Sequence, residues 1–99
     1  MFTFEVLVNV SILPSIEYPP GINKGFLHFY IPAKSKDKAL EILNDAVKEV
    51  GFALIEVEEC RLLNLDRLPK DFSFSKEEIL MAQSLGRVLR SALWGYQKE

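Results

Sequence analysis

The sequence predicts a single α+β domain with the element order β-β-α-β-α, and three observations carry that prediction. The N-terminus alternates apolar and polar residues without a break. A serine-capped amphipathic stretch in the middle of the chain ends at a glycine. A Ser-x-x-Glu box then introduces a second apolar stripe near the C-terminus.

The first strand is expected over residues 2 to 12. Phe2, Phe4, Val6, Val8, Val10 and Ile12 fall on one face, and Thr3, Glu5, Leu7, Asn9 and Ser11 on the other, the period of a half-buried strand. As the longest alternating run, it belongs in the centre of the sheet. Residues 13 to 25 hold Pro14, Pro19, Pro20, Gly21 and Gly25, which oppose regular structure, so a connection is expected there. A second strand follows over 26 to 32, with Leu27, Phe29 and Ile31 on one face and Phe26, His28 and Tyr30 on the other. Pro32 closes it.

Ser35 stands where a helix cap is wanted, and the spacing of Ala39, Ile42, Leu43, Ala46, Val47 and Val50 predicts a helix from about Lys36 to Val50. Gly51 suits a left-handed C-terminal cap. Residues 52 to about 58 read as a third strand, with Ala53, Ile55 and Val57 opposing Phe52, Leu54, Glu56 and Glu58. The alternation fails at Glu59-Cys60, which calls for a bulge or a short fourth strand. Residues 64 to 74 form a linker. Ser75 and Glu78 make a capping box, Phe74 and Ile79 occupy the positions of a hydrophobic staple, and the second helix is expected from Lys76 to about Tyr96.

The helix between strands 2 and 3 makes them parallel to each other. Strand 1 then lies between them, antiparallel to both, in a three-stranded, mainly antiparallel sheet of order 2-1-3. Both helices are expected on the face built by Phe4, Val6, Val8, Phe29, Ile31, Ile55 and Val57. This arrangement resembles a ferredoxin-like split β-α-β that lacks one strand, a likeness of architecture that carries no function.

Composition narrows the function classes. The chain has 99 residues, of which 48% are hydrophobic, and acids outnumber bases 14 to 12. A nucleic-acid binder needs a basic stripe, so nucleic acid is disfavoured. Cys60 is the one cysteine and rules out an intrachain disulfide, which fits a reducing compartment. The first residues carry no basic n-region, and no apolar run reaches the length of a membrane span, so a cytoplasmic protein with no membrane partner is expected. One histidine, one cysteine and scattered carboxylates give no ligand spacing, so neither a metal nor a cofactor is expected. No grouping of nucleophile, base and oxyanion donor is visible, and the balance falls against an enzyme.

Two surfaces remain unexplained. The sheet face opposite the helices would present Glu5, Leu7, Asn9, Phe26, His28, Tyr30, Phe52, Leu54, Glu56 and Glu58, too apolar to be left in water. It is expected to bind a second copy of the chain, or alternatively a ligand or protein. His28 with Glu5 or Glu56 would be the pair to test for acid–base work. On the predicted second helix, Gln83, Arg87, Arg90 and Trp94 cluster on the side away from the apolar stripe, which marks a protein contact, a surface cation–π pair, or a place where the 64–74 linker folds back to cover Trp94. Arg61, Arg67 and Lys70 frame the linker, where they would meet solvent, phosphate or an acidic partner.

In general character the chain resembles small bacterial immunity or antitoxin-like proteins, which are compact, acidic and without an active site. That resemblance implies a non-enzymatic, protein-binding domain, or a regulatory subunit, that forms a homodimer or docks on another protein. The alternative is a small dimeric ferredoxin-like enzyme or metabolite-binding domain that uses the open sheet face. The candidate binding residues are Trp94, Arg90, Arg87, Phe26, His28, Tyr30, Glu5 and Glu56, and no catalytic residue is assigned.

Overall fold

The N-terminal alternation becomes β1 (Phe2–Ile12), the central strand of an antiparallel sheet. The computed structural model describes residues 1–13, 22–70 and 72–96. Most of the 13–25 connection lies outside the described residues. β2 (Lys24–Ala33) pairs along one side of β1 and β3 (Phe52–Leu62) along the other. The order 2-1-3 expected for these strands is therefore found. Pro32 sits inside β2 without cost. It faces Thr3, whose carbonyl is turned to the opposite neighbour and accepts from Leu63 N at 2.9 Å. The missing N–H of Pro32 thus falls on the side away from β1.

Between β2 and β3 runs α1 (Lys36–Glu49). Ser35 caps it by accepting from Lys38 N, and Gly51 takes a left-handed φ of 84° just beyond its end. Ala39, Leu43, Ala46 and Val47 are buried. They meet Phe4, Val6, Val8 and Val10 of β1, Leu27, Phe29 and Ile31 of β2, and Phe52 of β3 in the main core.

β3 departs from its expected phase. Phe52, Leu54, Val57 and Cys60 stand opposite Ile12, Val10, Val8 and Val6, so all four share the α1 face. Ile55 is 46% exposed rather than part of the core. The pairing skips one residue of β3 at Ile55 and another at Glu58. Each extra residue reverses the alternation. Leu54 and Val57, three apart, consequently point the same way. The strand itself runs unbroken past Cys60 to Leu62.

The second helix is half the expected length and lies on the other side of the sheet. α2 (Lys76–Leu85) begins at the predicted capping box: Ser75 Oγ accepts from Glu78 N, and Ser75 N donates to Glu78 Oε1, each at 3.1 Å. It stops at Gly86, whose φ of 66° is left-handed. Ile79 and Ala82 are buried apart from the α1-side core. Gln83 donates to Thr3 Oγ1 at 2.7 Å, across the face that carries Glu5 and Tyr30. The chain after α2 then turns back into the sheet. β4 (Leu89–Arg90) pairs with Phe29 and Tyr30, and β5 (Trp94–Tyr96) pairs with Lys24 through Phe26. The sheet has five strands, in the order β3-β1-β2-β4 with β5 also on β2. Two helices on opposite faces and two further strands set this order apart from the ferredoxin-like arrangement. Among the described residues, no helix is long and apolar enough to cross a membrane.

Two glycines permit this C-terminal return for different reasons. A Cβ on Gly86 would meet nothing within 4 Å, so only its left-handed backbone resists substitution. A Cβ on Gly25 would lie 2.7 Å from Leu93 Cδ1 and 2.8 Å from the Trp94 carbonyl oxygen. Gly86→Ala is expected to cost about 1–2 kcal/mol, the ordinary penalty for a left-handed alanine. Gly25→Ala is expected to cost more and to displace β5. Urea midpoints for both variants, read by tryptophan emission, check this ranking. A Gly25→Ala chain as stable as the parent would mean that β5 does not lie against β2.

Candidate functional site

Four of the residues singled out, Glu5, His28 and Tyr30 from the sheet face and Trp94 from the supposed helix, meet on one surface. β1 presents Glu5 and Leu7 there, opposite Tyr30 and His28 of β2. β3 contributes Arg61, opposite Glu5. Trp94 is on no helix. Its pairing with Phe26 places it at the end of the same face. Its ring meets His28 edge-on with centroids 5.5 Å apart, and His28 stacks on Tyr30 at 6.1 Å. The chain after β3 supplies the far wall. Phe72 and Phe74 pack edge-on against Tyr30 at 5.0 and 5.6 Å.

Trp94 reaches this place through an irregular edge. Pairing residues 29 with 90 but 26 with 94 leaves one extra residue between β4 and β5. Ser91 fills the gap. Its backbone N donates to His28 O at 2.9 Å, and its hydroxyl accepts from His28 N at 2.9 Å. A buried side chain thus replaces a carbonyl in the ladder and keeps the His28 amide satisfied.

Glu5 is the electrostatic centre. The residue is only 7% exposed, and its carboxylate accepts from Arg61 Nε at 2.7 Å. A carboxylate taken from water needs such a charged partner. The pairing keeps the Arg61 guanidinium firmly protonated, chiefly through that hydrogen bond and then through the Glu5 charge. Tyr30, buried beside them, has its phenol pushed up to about 12. Loss of water dominates, the neighbouring Glu5 charge adds to it, and Arg61 opposes it.

Two open grooves meet at the Glu5–Arg61 pair. One, of about 260 Å³, runs from Glu5 and Arg61 past Tyr30, His28 and Phe72 to Trp94. The other, of about 300 Å³, is lined by the same pair together with Leu62, Leu63, Asn64 and Arg67. Pro69 borders both.

The remaining candidates lie elsewhere. Glu56 stands opposite Asn9 on the same sheet face but borders neither groove. Arg90 is in register with Phe29, donates to the Ser91 carbonyl, and borders a depression with Ala46 and Glu49 of α1. Arg87 sits just past Gly86, with Asp45, Glu49 and Leu85 around it. The Arg90–Trp94 contact expected from helical spacing does not exist in a chain whose helix ended at Gly86. Arg61 and Arg67, which in the sequence frame the linker, line the grooves instead of Arg87 and Arg90. The linker does fold back, but its Phe72 covers Tyr30; Ser91 gave no signal in the sequence, because it acts through His28, 63 residues away.

The register decides which of these side chains meet. His28 lies opposite Leu7, and Glu5 is engaged by Arg61, so the His–Glu pair is not assembled. Among the described residues, no group of three or more potential metal ligands comes together. Comparison with known proteins finds no family model, no curated protein and no solved structure that matches this chain.

The raised Tyr30 pKa has a direct consequence. A phenol held above its usual 10 stabilises the fold fully below pH 10. That contribution is lost as pH rises from about 10 through about 12. Spectrophotometric titration should show a late phenolate step that Tyr30→Phe removes, together with a flatter decline in stability above pH 10. Loss of a step near pH 10 in Tyr30→Phe, with no late step in the parent, would place this phenol in water.

Proposed function

We propose that this chain is a non-catalytic protein-binding domain, and that its contact surface is the aromatic step of Phe26, His28 and Trp94 beside the Glu5–Arg61 pair. The observation that carries this reading is the setting of Trp94. It is 57% exposed, yet its backbone is fixed in the sheet and its ring is braced against His28. A large aromatic held rigid with an open face loses little freedom when a partner covers it, and such residues dominate protein interfaces. The neighbouring grooves are open troughs that would leave a bound metabolite largely in water, whereas small-molecule sites enclose most of their ligand. That favours a macromolecular partner over the metabolite-binding alternative. The partner is either another protein or a second copy of the chain.

The test is mass in solution by light scattering over a dilution series, for the parent chain and for Trp94→Ala. Loss of one edge-on aromatic contact should lower stability by only about 0.5–1.5 kcal/mol. A dimer that Trp94→Ala converts to a folded monomer supports self-association through this face. A monomeric parent directs the reading to a different protein. A Trp94→Ala chain that unfolds would show that the indole is structural and would overturn the reading.

A further inference from the structure

The lining of the two grooves specifies the chemistry of what fills them, an inference that rests on the protein-binding reading above. Glu5 engages Arg61 through Nε, and among the described residues no bond occupies the two terminal nitrogens of that guanidinium. A buried carboxylate thus holds the side chain from behind, while the side chain itself remains 67% exposed. This leaves the end of a planar fork, the geometry that receives a carboxylate in two parallel hydrogen bonds, facing the groove. Arg67, which also lines the second groove, forms no ion pair among the described residues. The linings together hold two guanidiniums against one carboxylate, and Glu5 is already neutralised by its partner. Glu59 lies opposite Leu7, near Arg61 but outside both linings. A chain whose acids outnumber its bases has therefore built a locally cationic trough that ends on aromatic rings.

We infer that the trough binds an extended acidic segment of a partner protein, with a carboxylate on Arg61, a second acidic group toward Arg67 and an apolar side chain against Phe72 and Trp94. The two grooves meet at Arg61 and open to solvent, so a chain can cross from one to the other. A second copy is the poorer source of such a segment. Its densest acidic run, Glu56 to Glu59, is already locked into β3 by pairing with β1. Charge complementarity of this kind sets which partner is admitted and how fast it arrives.

Trp94 is the chain's one tryptophan, so its emission reports occupation of the trough directly. The experiment titrates the full chain with three probes: a capped hexapeptide alternating glutamate and phenylalanine, the same peptide with lysine for glutamate, and phenylacetate. The acidic peptide should shift the emission and saturate, and added salt should weaken it. Arg67→Gln, a substitution in an exposed turn, should weaken it roughly tenfold, as expected for loss of one charge pair. The lysine peptide should give no saturable shift. Binding of the lysine peptide as tightly as the acidic one would overturn the inference and leave the protein-binding reading standing. Saturation by phenylacetate as tight as by the acidic peptide would overturn both, because the site would then be one for small carboxylates. Unchanged affinity in Arg67→Gln, or no response to any probe, would overturn the inference alone, since the dilution series tests the broader reading independently.

Discussion

A central strand that is buried on both faces forces the rest of the chain to supply two covers, and β1 is that strand. On one side Val6, Val8 and Val10 are fully buried, and on the other Thr3 and Glu5 are buried as well. One helix cannot reach both. α1 is placed over the first face by the short β2–α1–β3 crossover. The second cover must come from chain that leaves β3 beside the start of β1. Leu63 N is bonded to Thr3 O at that point. The following turn, Leu65–Arg67, is capped by Asn64, whose side chain accepts from Asp66 N. From there the chain passes Pro69, Phe72 and Phe74 over Tyr30 and delivers α2 onto Thr3 through Gln83. The half-buried aromatic residues of the linker thus form part of the cover over this second face.

What was legible in the sequence is what depends on near neighbours. The β1 alternation, the Ser35 and Ser75 caps, the crossover helix and the 2-1-3 order all follow from local periodicity and connection rules, and all are present. The misreadings concern residues whose placement is decided by distant pairing. Between Phe52 and Leu62 two skipped residues reverse the alternation twice, so no single period describes the strand, and Ile55 and Leu54 exchange faces. Beyond Leu85, the run of Val88, Leu89, Ala92, Leu93 and Tyr96 continues the helical stripe as well as it suits two short strands. The bare edge of β2 decides the matter. The one local signal was Gly86, a stop in a left-handed conformation, and it outranks a stripe that continues past it.

That single stop also explains why the candidate site was only partly visible. With the helix ended at Gly86, Trp94 leaves the arginines at 87 and 90, which border α1, and joins His28 and Tyr30 on the sheet face. The apolar character of the sheet face pointed correctly to a need for cover. The chain meets that need over Tyr30 with its own Phe72 and Phe74, and leaves the Trp94 end open. Gly25 is what lets the last strand close down there, since Leu93 and the Trp94 backbone occupy the space where a side chain would stand.

The Glu5–Arg61 pair gives this end its chemistry. A buried ion pair is a poor source of stability, because the desolvation of both charges offsets most of their attraction. This pair is lopsided, with the acid enclosed and the base mostly in solvent, so the cost of burial falls on Glu5 while Arg61 retains free donors. The same carboxylate pushes the Tyr30 phenol up and is kept from His28 by the register, which sets Leu7 opposite the imidazole. A dyad for proton transfer would need the opposite arrangement, with the acid free of Arg61 and turned to the histidine. The geometry that keeps Glu5 bound to Arg61 therefore leaves no Glu5–His28 pair and turns the unused donors of Arg61 toward the groove.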